Sequence, residues 1–185
     1  MDIETTLGTA ENTNAHELAR LINSAYRAHD ELAGWTNESD LLAGTRTDTA
    51  SLQHVLPGAT SPDPAQGAIL LLRRKADAAL IGCISLEPYD EACCYLSLLA
   101  VDPGLQNSGY GRLLLAEAEG RARASGARTT RMTVIRQRTE LIAWYERRGY
   151  RQTGDVVPFP YDDPGVGTPL RDDLQLVVLE KPLTE

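Results

Sequence analysis

Apolar positions recur with two different periods along this 185-residue chain, and the changes between them mark out its elements. Leu18, Leu21, Ile22 and Ala25 fall three and four residues apart, which predicts a helix over residues 14–28 that Thr13 or Asn14 can cap. A short strand is expected before it, at 3–7. Apolar runs at 68–73 and 80–86 flank Lys75-Ala76-Asp77 and predict two hairpin strands, followed by a third at 93–101. Asp102-Pro103-Gly104 ends that strand, because proline has no N–H for a ladder. Leu114, Leu115, Ala118 and Ala122 then form a helical stripe over 109–125. Glu117, Glu119, Arg121 and Arg123 are expected largely outside it, and Gly126 supplies the stop. Strands at 128–135, 150–153 and 174–179, and a helix at 138–148 closed by Gly149, complete the pattern. Single helices between strands predict a mixed sheet covered by helices, an α/β or α+β fold. The pattern loosens after His29, around Gly34, Gly44, Pro57, Gly58, Pro62 and Pro64, with one short helix expected at 49–56. Residues 29–66 therefore read as an acceptor-side insertion in one domain spanning 1–185.

Composition narrows the function classes. A formal charge of -8 argues against a nucleic-acid partner, which leaves a basic footprint on its protein. It tilts the choice of substrate towards cations, although solubility alone also accounts for acidity. No apolar run reaches the roughly 18 residues of a membrane span, and Met1-Asp2-Ile3-Glu4 has neither the positive patch nor the apolar stretch of a secretory signal. Three cysteines, Cys83, Cys93 and Cys94, are odd in number and two are adjacent, so a reducing cytoplasm is expected and the thiols read as small strand residues. His16, His29 and His54 lack ligand spacing with each other or with the cysteines, so no metal is expected.

The chemistry concentrates in residues 98–115, where an apolar strand runs through a turn and glycines into an amphipathic helix. First-turn N–H groups of a helix lack intrahelical partners and sit at the positive end of its dipole, so they can solvate phosphates. Gly109 and Gly111 let an anion approach the main chain. No Lys-Ser or Lys-Thr follows the glycines and Gly-x-Gly-x-x-Gly is not matched, which excludes a P-loop and a dinucleotide fingerprint.

Gln106-Asn107-Ser108-Gly109-Tyr110-Gly111 resembles the pyrophosphate motif of the GNAT acetyltransferases, Arg/Gln-x-x-Gly-x-Gly/Ala, and Leu99-Ala100-Val101-Asp102-Pro103 resembles the segment before it. Residues 141–150, which include Trp144-Tyr145-Glu146-Arg147-Arg148-Gly149-Tyr150, resemble the late helix of the same family. The resemblance implies a splayed mixed sheet with pantetheine in the split, and transfer of an acetyl group from acetyl-CoA to a primary amine by direct attack in a ternary complex. Leu99, Ala100, Val101, Gln106, Asn107, Ser108, Gly109, Tyr110, Gly111 and Arg112 are the implied cofactor contacts. Relatives often carry Asn where Arg138 stands; Arg138 either pairs with a phosphate or is structural. Tyr145 is the implied proton donor to the departing thiolate, with a core tyrosine as the alternative, because Leu141 and Ile142 share its face. Glu87, at a strand end, is the candidate base, with a solvated carboxylate as the alternative. Trp35 and Glu38, beside Asp40, lie where the family builds its acceptor pocket. The acceptor would be a small-molecule or peptide amine; relatives often pair, which leaves both a monomer and a homodimer open. A non-catalytic acyl-CoA sensor and a transferase for larger acyl groups are the rival functions.

Overall fold

Local chemistry sets where each helix begins. The side chain of Asn14 accepts hydrogen bonds from the N–H groups of His16 and Glu17, starting α1 (Ala15–Arg27). Asp48 does the same for Ser51 at the head of α2 (Thr49–Val55). Helix α3 (Tyr110–Ala124) begins differently, on Gly109 at φ 84° with no side-chain cap. Helix α4 (Thr139–Glu146) follows Arg138. The computed structural model describes residues 2–9, 11–28, 34, 36–56 and 67–183.

The strands are β1 (Ile3–Gly8), β2 (Leu42–Ala43), β3 (Ala68–Arg74), β4 (Leu80–Asp90), β5 (Cys93–Val101), β6 (Thr129–Ile135), β7 (Arg151–Pro158), β8 (Thr168–Pro169) and β9 (Gln175–Pro182). Among the described residues they form a seven-stranded sheet in the order β1-β3-β4-β5-β6-β9-β7 and a separate ribbon of β2 with β8. Every pairing is antiparallel except β5 with β6. Alternation divides the core between two faces. Ile69 and Leu71 pack with α1, whereas their neighbours Leu70 and Leu72 pack with Leu114 of α3 and Ile142 of α4. The expected mixed sheet flanked by helices is present. The β2–β8 ribbon escaped prediction because two-residue strands carry no period, and β7 runs past the expected Thr153 to Pro158.

The sheet opens in its middle. Strands β5 and β6 pair only from Cys93↔Thr129 to Tyr95↔Arg131, while β5 stays on β4 through Val101 and β6 stays on β9 through Ile135. Beyond Tyr95 the inward edge of β5 therefore has no strand beside it. A bulge lies on that free stretch: Cys83↔Ala100 and Ser85↔Ser97 leave one extra residue on β5, and Leu98 there takes φ 51°. That left-handed conformation costs a branched residue on the order of 1 kcal/mol. The Tyr26 hydroxyl donates to the Leu99 carbonyl at 3.0 Å and braces the bulge from α1.

Glu119 corrects the outward placement expected for it. It is buried beneath α3, accepting hydrogen bonds from Lys181 Nζ at 2.6 Å and Tyr150 Oη at 3.1 Å. A buried carboxylate needs such partners, and both come from distant parts of the chain.

Candidate active site

Two cavities meet at the split. The larger, about 880 Å³, lies between the β5 edge, the 105–112 loop and α4. The smaller, about 250 Å³, lies between β5, β6, the end of α1 and Leu42 to Arg46. Tyr26, Leu99, Leu141 and Tyr145 line both and so mark the passage between them.

The larger cavity is built to receive an anion. Without a side-chain cap on Gly109, the first-turn N–H groups of α3 face the cavity unsatisfied by any cap. A Cβ on Gly109 would meet no protein atom within 4 Å, and one on Gly111 would lie 3.6 Å from Trp144, so both glycines hold open space beside the main chain. Arg112, Arg147 and Arg148 stand along the same wall, against the single carboxylate of Glu140. Burial, followed by the like charges of Arg147 and Arg112, lowers the pKa of Arg148 from its ordinary value. Arg148 lies over the Trp144 ring, 3.5 Å from its centroid, and its Nε is buried without a hydrogen-bond partner. A polyanion in this cavity would offset such crowding of cations.

Most residues expected to contact the cofactor converge here: Leu99, Val101, Gln106, Asn107, Ser108, Gly109, Tyr110, Gly111 and Arg112 all line this cavity. The side chain of Gln106 turns back, donating to Thr36 Oγ1 at 3.0 Å and so tying the 105–112 loop to the insertion. Two of the expected residues have side chains that lie apart from this wall. Ala100 is fully buried against α1, because alternation turns it to the opposite face from Leu99 and Val101, so its side chain reaches neither cavity. Arg138 lies in the wall of the smaller cavity, paired with Glu38 Oε2 at 3.3 Å, rather than in the phosphate wall. Trp144, Arg147 and Arg148 were missed as lining residues; their helical spacing behind Tyr145 was the available signal.

Tyr145 is buried at the passage, edge-on to Trp144 at 5.0 Å and to Tyr150 at 5.6 Å. Its hydroxyl has no hydrogen-bond partner among the described residues. Burial raises its pKa well above the ordinary phenol value, so it remains a proton donor. Glu87 is exposed and lines neither cavity, but its Oε1 accepts hydrogen bonds from Ser85 Oγ at 3.2 Å and Ser97 Oγ at 3.0 Å. Ser97 does line the smaller cavity, which leaves Glu87 one hydroxyl away from it. Glu38 also lines that cavity, with its two oxygens taken by Arg27 and Arg138. Trp35 lies outside the described residues. The three cysteines are free and buried, and burial pushes Cys83 up to about 12 and Cys94 up to about 11, which keeps them thiols.

A strand-split sheet with an uncapped helix start beside the split is matched by a family model described as the acetyltransferase (GNAT) family, over residues 26–150. The chain belongs to the GNAT acetyltransferase family. The family that the sequence motifs resembled is therefore the family of the chain. An amino-acid acetyltransferase of Ectopseudomonas mendocina is 39% identical over 75 residues, 40% of this GNAT chain and 16% of that protein. One of Ralstonia nicotianae is 39% identical over 84 residues, 44% of the chain and 18% of that protein. The chain thus spans under a fifth of these relatives' length. A solved GNAT family acetyltransferase of Elizabethkingia anophelis with acetyl-CoA bound shares the fold at TM-score 0.59 and 19% identity, with 97% of each chain covered. No described helix of this GNAT member is long and apolar enough to cross a membrane.

Proposed function

We propose that the protein transfers an acetyl group from acetyl-CoA to an amine by direct attack, with both substrates bound at once. The observation that carries this is the meeting of two cavities at Tyr145, one lined by an uncapped helix start and arginines, the other small and separate. The N–H groups of Tyr110, Gly111 and Arg112 hold the pyrophosphate, and Arg112, Arg147 and Arg148 offset its charge. The free edge of β5 at Leu99 and Val101 offers main-chain groups to the pantetheine arm. That arm would bring the thioester to the passage lined by Tyr26, Leu99, Leu141 and Tyr145.

From the smaller cavity a neutral amine attacks the thioester carbon; the C–N bond forms and the C–S bond breaks. Tyr145 donates its phenolic proton to the sulfur, which leaves as a thiol, and solvent restores the phenol. Ser97 passes the proton lost by the amine to Glu87, whose exposed carboxylate delivers it to water. The passage lined by Leu99 and Leu141 limits water around the carbonyl, so thioester hydrolysis is disfavoured.

Calorimetric titration with acetyl-CoA tests the phosphate site. Gly109→Val puts a β-branched residue at φ 84° and fills cavity space, so affinity should fall on the order of 10- to 100-fold, the value of one or two charge-assisted hydrogen bonds. Undiminished affinity would dismiss this site. Thiol release over a panel of amines then separates a transferase from a sensor, which binds without turnover. Running the panel with acetyl-, propionyl- and succinyl-CoA identifies the acyl group.

A further inference from the structure

The smaller cavity is basic although the molecule is acidic. Its wall carries Arg27, Arg46 and Arg138 against one carboxylate, Glu38. Glu38 takes up Arg27 on one oxygen and Arg138 on the other, and the three side chains are 5% to 10% exposed. Arg46 is left over. It is half-buried, has no ion pair among the described residues, and lies with its guanidinium 5.7 Å from the centroid of the Tyr26 ring. That ring belongs to the residue that braces Leu99 at the passage, so Arg46 stands one side chain away from the proposed reacting centre. Arg27 adds a second unmet donor: its Nε is buried without a partner among the described residues. In a chain of 26 acidic and 18 basic residues, carboxylates are plentiful, yet among the described residues none pairs with Arg46. A guanidinium presents a planar fork of donors that matches a carboxylate, and partial burial strengthens the pairing. A cavity of about 250 Å³ falls below the roughly 300–1,000 Å³ typical of drug-sized ligand sites, which points to a small molecule.

We propose that the acceptor is a free amine of amino-acid class, its carboxylate docked on Arg46 and its amino group directed to the passage at Tyr145. This rests on the acetyl-transfer reading and adds the chemical class of the acceptor. Arg27 and Arg138, held by Glu38, make the surrounding field positive, while Arg46 supplies the bidentate contact. Arg46 is thus a specificity-determining residue.

Thiol release is measured with acetyl-CoA and three acceptor sets: free amino acids, their methyl esters, and alkylamines without a carboxylate. The wild type should prefer acids over esters by on the order of 10- to 100-fold in kcat/KM, as expected for a charge-assisted pair. Arg46→Gln should collapse that ratio towards one by raising KM for the acids, and Arg46→Lys should restore part of it. Comparing ratios cancels the different basicities of acid and ester amines. Acetyl-CoA affinity measured in each variant reports that it is folded. Alkylamines turned over as well as amino acids, or an acid-to-ester ratio untouched by Arg46→Gln, would overturn the carboxylate contact while leaving acetyl transfer intact. Turnover with none of the three sets, in protein that binds acetyl-CoA, would overturn the amino-acid acceptor; no thiol release with peptide amines either would overturn acetyl transfer as well.

Discussion

At Tyr145 packing and chemistry draw on different parts of one side chain. The ring is held edge-on by Trp144 and Tyr150, while the hydroxyl, without a partner among the described residues, sits where two cavities join. Tyr145→Phe keeps the ring contacts and removes only the proton donor. Single-turnover rates at saturating acceptor should therefore fall on the order of 100- to 10,000-fold, the usual range for general acid catalysis, with acetyl-CoA affinity nearly unchanged. Full activity in that variant would make Tyr145 a core tyrosine and nothing more. Motif spacing made this residue legible because helical periodicity is local. Arg138 and Glu38 were each singled out in the sequence, but not as partners, since 100 positions separate them and no local pattern reports such a pairing.

Element by element, the site depends on how closely α3 approaches the sheet. Gly82 of β4 makes that approach possible: a Cβ there would lie 2.8 Å from Leu114 Cδ1 and 3.1 Å from the Ala100 carbonyl. Leu114 belongs to the helix whose first turn borders the larger cavity, and Ala100 to the bulged half of β5. Gly82→Val should thus lower stability by about 1–3 kcal/mol in urea unfolding and also weaken acetyl-CoA binding, because overpacking displaces α3. Retained stability with unaltered affinity would show that α3 is positioned by other contacts. The bounds of α1, α3 and β5 were readable to within about a residue or two, because capping groups, glycines and apolar period coincide there. The bulge at Leu98 was not readable, since nothing about a leucine announces a left-handed conformation.

On the scale of the molecule, protonated groups are buried through the core. Burial raises Tyr26, Tyr145 and Tyr150 above the ordinary phenol value of 10.0, and raises Cys83 and Cys94 as well. Above about pH 9 for the cysteines and pH 10 for the tyrosines, the unfolded chain releases these protons while the folded chain keeps them. The unfolded state then binds fewer protons, so stability falls as pH rises. Urea unfolding at pH 8, 9, 10 and 11 should show this contribution intact at pH 8 and a decline steepening past pH 10, shallower in Tyr26→Phe. Equal stability at pH 9 and 11 would contradict the burial of these hydroxyls.

The sequence by itself determined the helices, most strands and the glycine-softened turn before α3, because caps, turns and periodicity act over a few residues. It also determined that the chain is acidic, a sum that says nothing about position. Only the tertiary structure decided that β5 and β6 part after Tyr95, that Glu119 turns inward to Lys181 and Tyr150, and that Arg27, Arg46 and Arg138 line one cavity with a single carboxylate. These arrangements join residues tens of positions apart. Their energy comes from desolvation and charge pairing, which depend on what surrounds a side chain in space, and neighbours along the chain do not encode it.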